Sequence, residues 1–121
     1  MRAILSSSAG APAAARRALE PVTRSLSPRA ASELLVVVTE LVANAVRHSR
    51  DGCIRLNVEL EDDLARVEVT DPGNGFEPPA RPQSSNPERG GFGLVLVDRL
   101  ARRWGVRRND DSTVVWSELP R

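Results

Sequence analysis

SPRAASELLVVVTELVANAVRHS, residues 27–49, decides the fold. Ser27 before Pro28 has the form of a helix N-cap and a first-turn proline, because a seryl oxygen accepts from an otherwise free N–H and proline brings no N–H to leave unpaired. The apolar pattern then runs unbroken to about His48, which predicts a long amphipathic helix. Leu34, Val38, Leu41, Val42 and Ala45 form its apolar stripe. At about 100° per residue, Glu40, Asn44 and Arg47 fall together on the neighbouring face. Such residues are ordinary on a solvated face, although asparagine is a poor choice for the middle of a long helix unless its amide has something to hold. A carboxylate and an amide one turn apart, about 6 Å along the axis, can together serve a metal-bound phosphate. His48 lies at the helix end, where capping or packing explains it as well as chemistry does.

Towards the N-terminus, Ala14, Ala18, Leu19 and Val22 predict a helix over about Pro12–Ser25, kinked or ended by Pro21. The four residues RAIL, 2–5, are too few to assign an edge strand. Towards the C-terminus, Ile54, Leu56, Val58 and Leu60 alternate with Arg55, Asn57 and Glu59, which predicts a strand with one wet face. Glu61–Asp63 turn the chain into LARVEVT, where Ala65, Val67 and Val69 face the core. Asp71 shares their parity, so its carboxylate should point between sheet and helices, where an unpaired acid is costly. The glycines of DPGNG, 71–75, let the backbone approach a ligand, although a local turn explains the motif equally well.

From Asp71 to Gly91 there is no periodicity, and a loop of that length is usually functional or disordered. Leu94, Val97, Leu100 and Ala101 then mark a third amphipathic helix, and WGV and TVVWSEL predict two closing strands around Asn109–Ser112. Entering that helix, RGGFGL at 89–94 allows backbone N–H groups to converge at its N-terminus, a place that favours anions. Two glycines before a helix are weak evidence alone, and the GxxxxGK[ST] phosphate loop is absent. The expected architecture is α+β: a two-layer sandwich in which about three helices cover one face of a mostly antiparallel mixed sheet.

The 121 residues fit one compact domain, 1–121, with no internal repeat. Arginine is abundant and lysine absent, yet the formal net charge is only +1, which argues against a dedicated nucleic-acid binder. The single cysteine, Cys53, cannot form an internal disulfide, and no histidine–cysteine cluster offers a zinc site. With no signal-like or membrane-length apolar run, the expectation is a soluble protein of the reducing cytoplasm.

TELVANAVRHS, DPGNGF and GGFGLVLVDRLARRWGV occur in this order, and they resemble the N box and the two glycine boxes of the GHKL superfamily, which covers gyrase, heat-shock chaperone, histidine kinase and mismatch-repair ATPases. In detail they look most like the short anti-sigma regulatory factors with serine/threonine kinase activity, over nearly the whole chain. The resemblance implies the histidine kinase-like (Bergerat) ATPase fold and the cofactors ATP and Mg²⁺. It implies that Asn44 coordinates Mg²⁺, that Glu40 is the general base and that Arg47 lies near the phosphates. Asp71 would hydrogen-bond adenine, Gly73 and Gly75 would shape its pocket, and Gly91, Phe92, Gly93 and Leu94 would line the phosphate end. Glu77–Arg89 would be the ATP lid; it is short, rich in proline and without lysine.

The implied partners are an antagonist (anti-anti-sigma) protein, phosphorylated on a serine, and a sigma factor sequestered by a homodimer, with no direct nucleic acid and no membrane. The alternative is an ATP-binding regulatory module that binds partners without phosphotransfer. A histidine autokinase needs a helical dimerisation segment bearing a phosphoacceptor histidine; the only histidine here, His48, lies within the N box. The brief N-terminal region leads one to expect a reduced first strand.

Overall fold

The computed structural model describes residues 1–48, 52–72, 91–109 and 111–121, residues 91–93 by their backbone alone. In chain order the elements are β1 (Arg2–Ser6), α1 (Ala11–Ala18), α2 (Glu20–Thr23), α3 (Pro28–His48), β2 (Cys53–Leu60), β3 (Leu64–Asp71), α4 (Gly91–Leu100), β4 (Arg103–Arg108) and β5 (Thr113–Pro120). The strands form one sheet in the order β1-β2-β3-β5-β4, and every pairing is antiparallel. The architecture is the expected α+β two-layer sandwich, helices on one face of the sheet. The helical layer has a fourth piece because Pro21, which cannot donate a backbone hydrogen bond, splits the N-terminal helix into α1 and α2.

Ser27 caps α3 as its position predicts: its Oγ accepts from the Ala30 N–H at 3.2 Å. Leu34, Val37, Val38, Leu41 and Val42 are each at most 1 % exposed, and α3 packs across β2, β3 and β5. Ile54, Leu56 and Val58 of β2 meet Ala65, Val67 and Val69 of β3 on the inner face, with Leu56 opposite Val69 and Val58 opposite Val67. The hairpin closes at Glu61, whose N–H donates to the Leu64 carbonyl at 2.8 Å. The second hairpin closes likewise, Asn109 N–H to the Ser112 carbonyl at 2.8 Å.

RAIL does form a strand. All five residues of β1 pair with β2, and Met1 extends the ladder, its amine donating to the Val58 carbonyl at 2.7 Å while its own carbonyl accepts from the Val58 N–H at 2.8 Å. Only Leu5 of the strand is buried, so hydrogen bonding along β2 rather than a long apolar pattern secures this edge.

The outer face of the sheet carries a polar network that needs three strands in register. Arg66 of β3 and Arg103 of β4 both donate to Glu118 of β5, at 2.9 and 2.6 Å. Both guanidinium groups also lie over Trp116, 4.9 and 5.8 Å from its ring centroid. The hydrogen bonds from Arg103 and then Arg66 outweigh burial and hold the Glu118 carboxyl below its ordinary range. Trp116 lies flat because its cross-strand partner is Gly105: a methyl group there would sit 3.0 Å from the indole. Gly105→Ala is therefore expected to lower stability by about 1–3 kcal/mol through overpacking, read as an earlier denaturant midpoint; an unchanged midpoint would show that the ring can move aside freely.

Candidate functional site

The topology gathers the polar features at one end of the sheet. α3 ends at His48 and β2 begins at Cys53, and the start of β2 pairs with the end of β3, Arg55 opposite Thr70. The C-terminal turns of α3 and Asp71 therefore share an end. α4 spans about 15 Å for its 10 residues and delivers the chain to β4 at the opposite end, where Arg103 pairs with Glu118. Its N-terminal turn thus points back toward the Asp71 end.

The polar face of α3 divides according to depth. Asn44 is only 5 % exposed, and among the described residues neither its Oδ1 nor its Nδ2 has a hydrogen-bond partner. Glu40, one turn earlier, is half-buried, and Arg47 is exposed. The helical period placed the three together but could not show that Asn44 sinks into the layer between helices and sheet. A buried amide with both polar atoms unpaired costs folding free energy of about 1–3 kcal/mol for each unsatisfied group. His48 closes the helix half-buried; burial, then the neighbouring Arg47 charge, pushes its pKa down, which favours the neutral imidazole.

Asp71 lies where strand parity put it. It is 2 % exposed, its Oδ1 has no partner among the described residues, and burial raises its pKa above the ordinary carboxylate value. Across the ladder it faces Thr113, which is fully buried. Sequence reading took TVVWSEL as a closing strand and did not single out Thr113. The signal was present, since Thr113 has the inward parity of Val115, but it needed the β3–β5 register to connect it with Asp71. Ser117, also buried with an unpartnered Oγ, lies four residues further along β5, about 13 Å away, and is not part of this cluster.

Gly91, Phe92 and Gly93 form the first turn of α4, so their backbone N–H groups belong to the set that a helix leaves without internal partners. Leu94 is 3 % exposed and belongs to the core. Gly73, Gly75 and the segment Glu77–Arg89 lie outside the described residues. Among the described residues no cluster of three or more His, Cys, Asp or Glu side chains could by itself hold a metal ion, and no helix is long and apolar enough to cross a membrane.

An antiparallel sheet backed by helices, with an inward acid on a strand, an amide on the central helix unpaired among the described residues and α4 starting at the same end, is the arrangement of a GHKL-superfamily ATPase domain. The chain belongs to the histidine kinase-like ATPase domain family, whose pattern matches residues 5–118. An uncharacterized sensor-like histidine kinase of Chloroflexus aurantiacus is 34% identical over 89 residues, covering 73% of this chain and 15% of that protein. An uncharacterized Streptomyces coelicolor protein is 33% identical over 84 residues, covering 67% of this chain and 79% of its own length. Among solved structures, the histidine kinase domain of the Erythrobacter litoralis EL346 blue-light activated histidine kinase superposes with a TM-score of 0.61 at 19% identity, over 92% of this chain and 59% of that one. The Acinetobacter baumannii histidine kinase AdeS gives 0.56 at 12% identity, over 99% and 67%. This chain therefore spans a small part of the sensor-like kinase and somewhat over half of the first structural neighbour.

Proposed function

We propose that the domain binds ATP with Mg²⁺ and transfers the γ-phosphate to a serine or threonine of a separate antagonist protein, and that it regulates transcription by holding a sigma factor when that antagonist is phosphorylated. The observation that carries the nucleotide reading is the pair of buried polar side chains Asn44 and Asp71, the first with both amide atoms and the second with Oδ1 unpaired among the described residues, at one end of an otherwise apolar layer. Two such groups are costly in a folded domain and are accounted for when a ligand completes them.

The residues present fit the implied group. Asp71 Oδ1 is an acceptor suited to the exocyclic amine of adenine, and Asn44 Oδ1 is a neutral oxygen suited to Mg²⁺, which commonly takes one or two protein oxygens and completes its shell with phosphates and water. When bound, Mg²⁺ neutralises charge on the β- and γ-phosphates. The first-turn N–H groups of α4 would stabilise the same charge. Glu40 would accept the proton of the attacking hydroxyl as its oxygen bonds to the γ-phosphorus; the bond from that phosphorus to the bridging oxygen breaks, and ADP leaves. Arg47, exposed beyond Asn44, would steer the phosphates.

The test is transfer of label from γ-labelled ATP, with Mg²⁺, to the candidate antagonist. Label on a seryl or threonyl hydroxyl is the expected result. Antagonist binding without label would replace this reading with that of a regulatory module that does not transfer phosphate, and label on His48 would replace it with autophosphorylation on histidine.

A further inference from the structure

The strand ends that carry Asp71 and Thr113 have a second side. A cavity of 530 Å³ lies there, lined by Cys53 and Arg55 of β2, Thr70 and Pro72 at the end of β3, and Asp111 and Ser112 ahead of β5. Strand alternation sets its place: Ile54, Val69, Asp71 and Thr113 are buried on the inner face, so their chain neighbours Cys53, Arg55, Thr70 and Ser112 turn to the face away from the helices. Gly52, at φ 96°, brings the chain close to Pro72, where an added Cβ would meet the proline ring at 3.3 Å. These two residues wall the cavity at the end of the sheet.

Its charges are of both signs and are not spent on each other. Arg55 and Asp111 line the same cavity, yet neither forms an ion pair among the described residues. β2 and β5 lie on either side of β3, two strand spacings or about 10 Å apart, and that spacing holds the guanidinium and the carboxylate apart. Between them are the hydroxyls of Thr70 and Ser112. Ser112 Oγ accepts from Asn109 Nδ2 at 3.3 Å, which leaves its own proton to donate elsewhere. A cation on one side, an acid on the other and hydroxyls between complement a molecule that carries the same two charges in the reverse order.

We propose that this cavity binds a small zwitterion, a free α-amino acid or a dipeptide, with its carboxylate on Arg55 and its ammonium on Asp111. An extended dipeptide spans about 7 Å, which fits between the two strands, and a planar guanidinium suits a carboxylate. The volume of 530 Å³ falls in the usual range of small-ligand clefts, about 300–1,000 Å³. The site stands back to back with Asp71 and Thr113, because alternate residues of the same strand ends serve the two faces. A ligand that fixes these ends from outside therefore biases the geometry of the inner pocket. That coupling rests on the nucleotide reading; the zwitterion site itself does not.

Saturation-transfer NMR on the whole chain with a panel of free α-amino acids and simple dipeptides tests this without any turnover. The tightest binder is then compared with its N-acetyl and C-amide forms on the wild type, Arg55→Gln and Asp111→Asn. Either blocked form and either variant should lose about tenfold or more in affinity. The pairing is specific: the C-amide should be indifferent to Arg55→Gln, and the N-acetyl form to Asp111→Asn. Arg55 and Asp111 are exposed, so both variants should melt with the wild type. Cys53, exposed at the cavity wall, gives a second readout, since bound ligand should slow its alkylation by iodoacetamide. No binding from the panel at millimolar concentration, blocked forms that bind as well as the free one, or affinity that ignores both variants would overturn the proposal. Ligand and Mg·ATP should change each other's affinity by the same factor. A bound ligand that leaves Mg·ATP affinity unchanged would overturn the coupling alone, whereas ligand binding to a chain that takes up no Mg·ATP would remove the nucleotide reading and support the zwitterion site.

Discussion

Glu40→Gln will leave Mg·ATP affinity within about twofold of wild type while lowering phosphate transfer by about 10²–10⁴-fold, the usual contribution of a positioned proton acceptor. The substitution is nearly isosteric, and Glu40 is half-buried on α3 with no ion pair to lose among the described residues. Packing and fold should survive it. What the amide cannot do is take up the proton of an incoming hydroxyl. Calorimetry with Mg·ATP and a single-turnover transfer assay separate the two effects. Equal transfer rates would remove Glu40 from the reaction; lost binding would make it part of the phosphate site instead.

Asp71→Asn is expected to move two quantities in opposite directions. Nucleotide affinity should fall by about 10–100-fold, because the charged acceptor proposed for the adenine amine, worth about 1.5–3 kcal/mol, is replaced by a group that presents a donor on one side. Stability of the nucleotide-free protein at neutral pH should rise, because the variant no longer buries a partly unpaired carboxylate. The pH dependence follows from linkage. Burial raises the folded-state pKa of Asp71, so its penalty is full above that pKa and disappears as pH falls below the unfolded value. Glu118 runs the other way: its folded pKa is lowered, so its contribution is present above the unfolded pKa and is lost as pH falls through the folded one. In the variant the offset from Asp71 is gone while the losses from Glu118 and from His48, whose folded pKa is also lowered, remain, giving a stability profile that falls more steeply on acidification than that of the wild type. Thermal unfolding from pH 7 to pH 3, with and without Mg·ATP, reads both effects. A variant that binds as tightly as wild type, or melts no later in the absence of nucleotide, would show that Asp71 is an ordinary turn residue.

Much of this arrangement was legible in the sequence because it obeys simple periods. The two-residue period of LARVEVTD carried Asp71 to the inner face without any contact information, and the stripe from Leu34 to Ala45 fixed which side of α3 meets the sheet. What was missed depends on partners remote in the chain. Thr113 gained meaning only from the β3–β5 register. Met1–Ser6 is held by backbone bonds to β2, which leave little mark on side-chain pattern. The Arg66–Glu118–Arg103 network joins residues up to 52 apart in sequence. The glycine-rich stretch after Pro72, which carried much of the resemblance, offers no periodic signal and lies outside the described residues.

The two tryptophans sit on neighbouring strands but report on different parts of the molecule. Trp104 Nε1 donates to Asp98 Oδ1 of α4 at 2.9 Å, so its indole is tethered to the helix whose first turn faces the Asp71 end. Trp116 is clamped on the far side of the sheet between Arg66 and Arg103. The chain thus contains two separable optical channels without any added dye. With Trp116 replaced by phenylalanine, the remaining emission should follow displacement of α4; with Trp104 replaced, it should follow the integrity of the sheet, so two single-tryptophan variants report movement and unfolding separately.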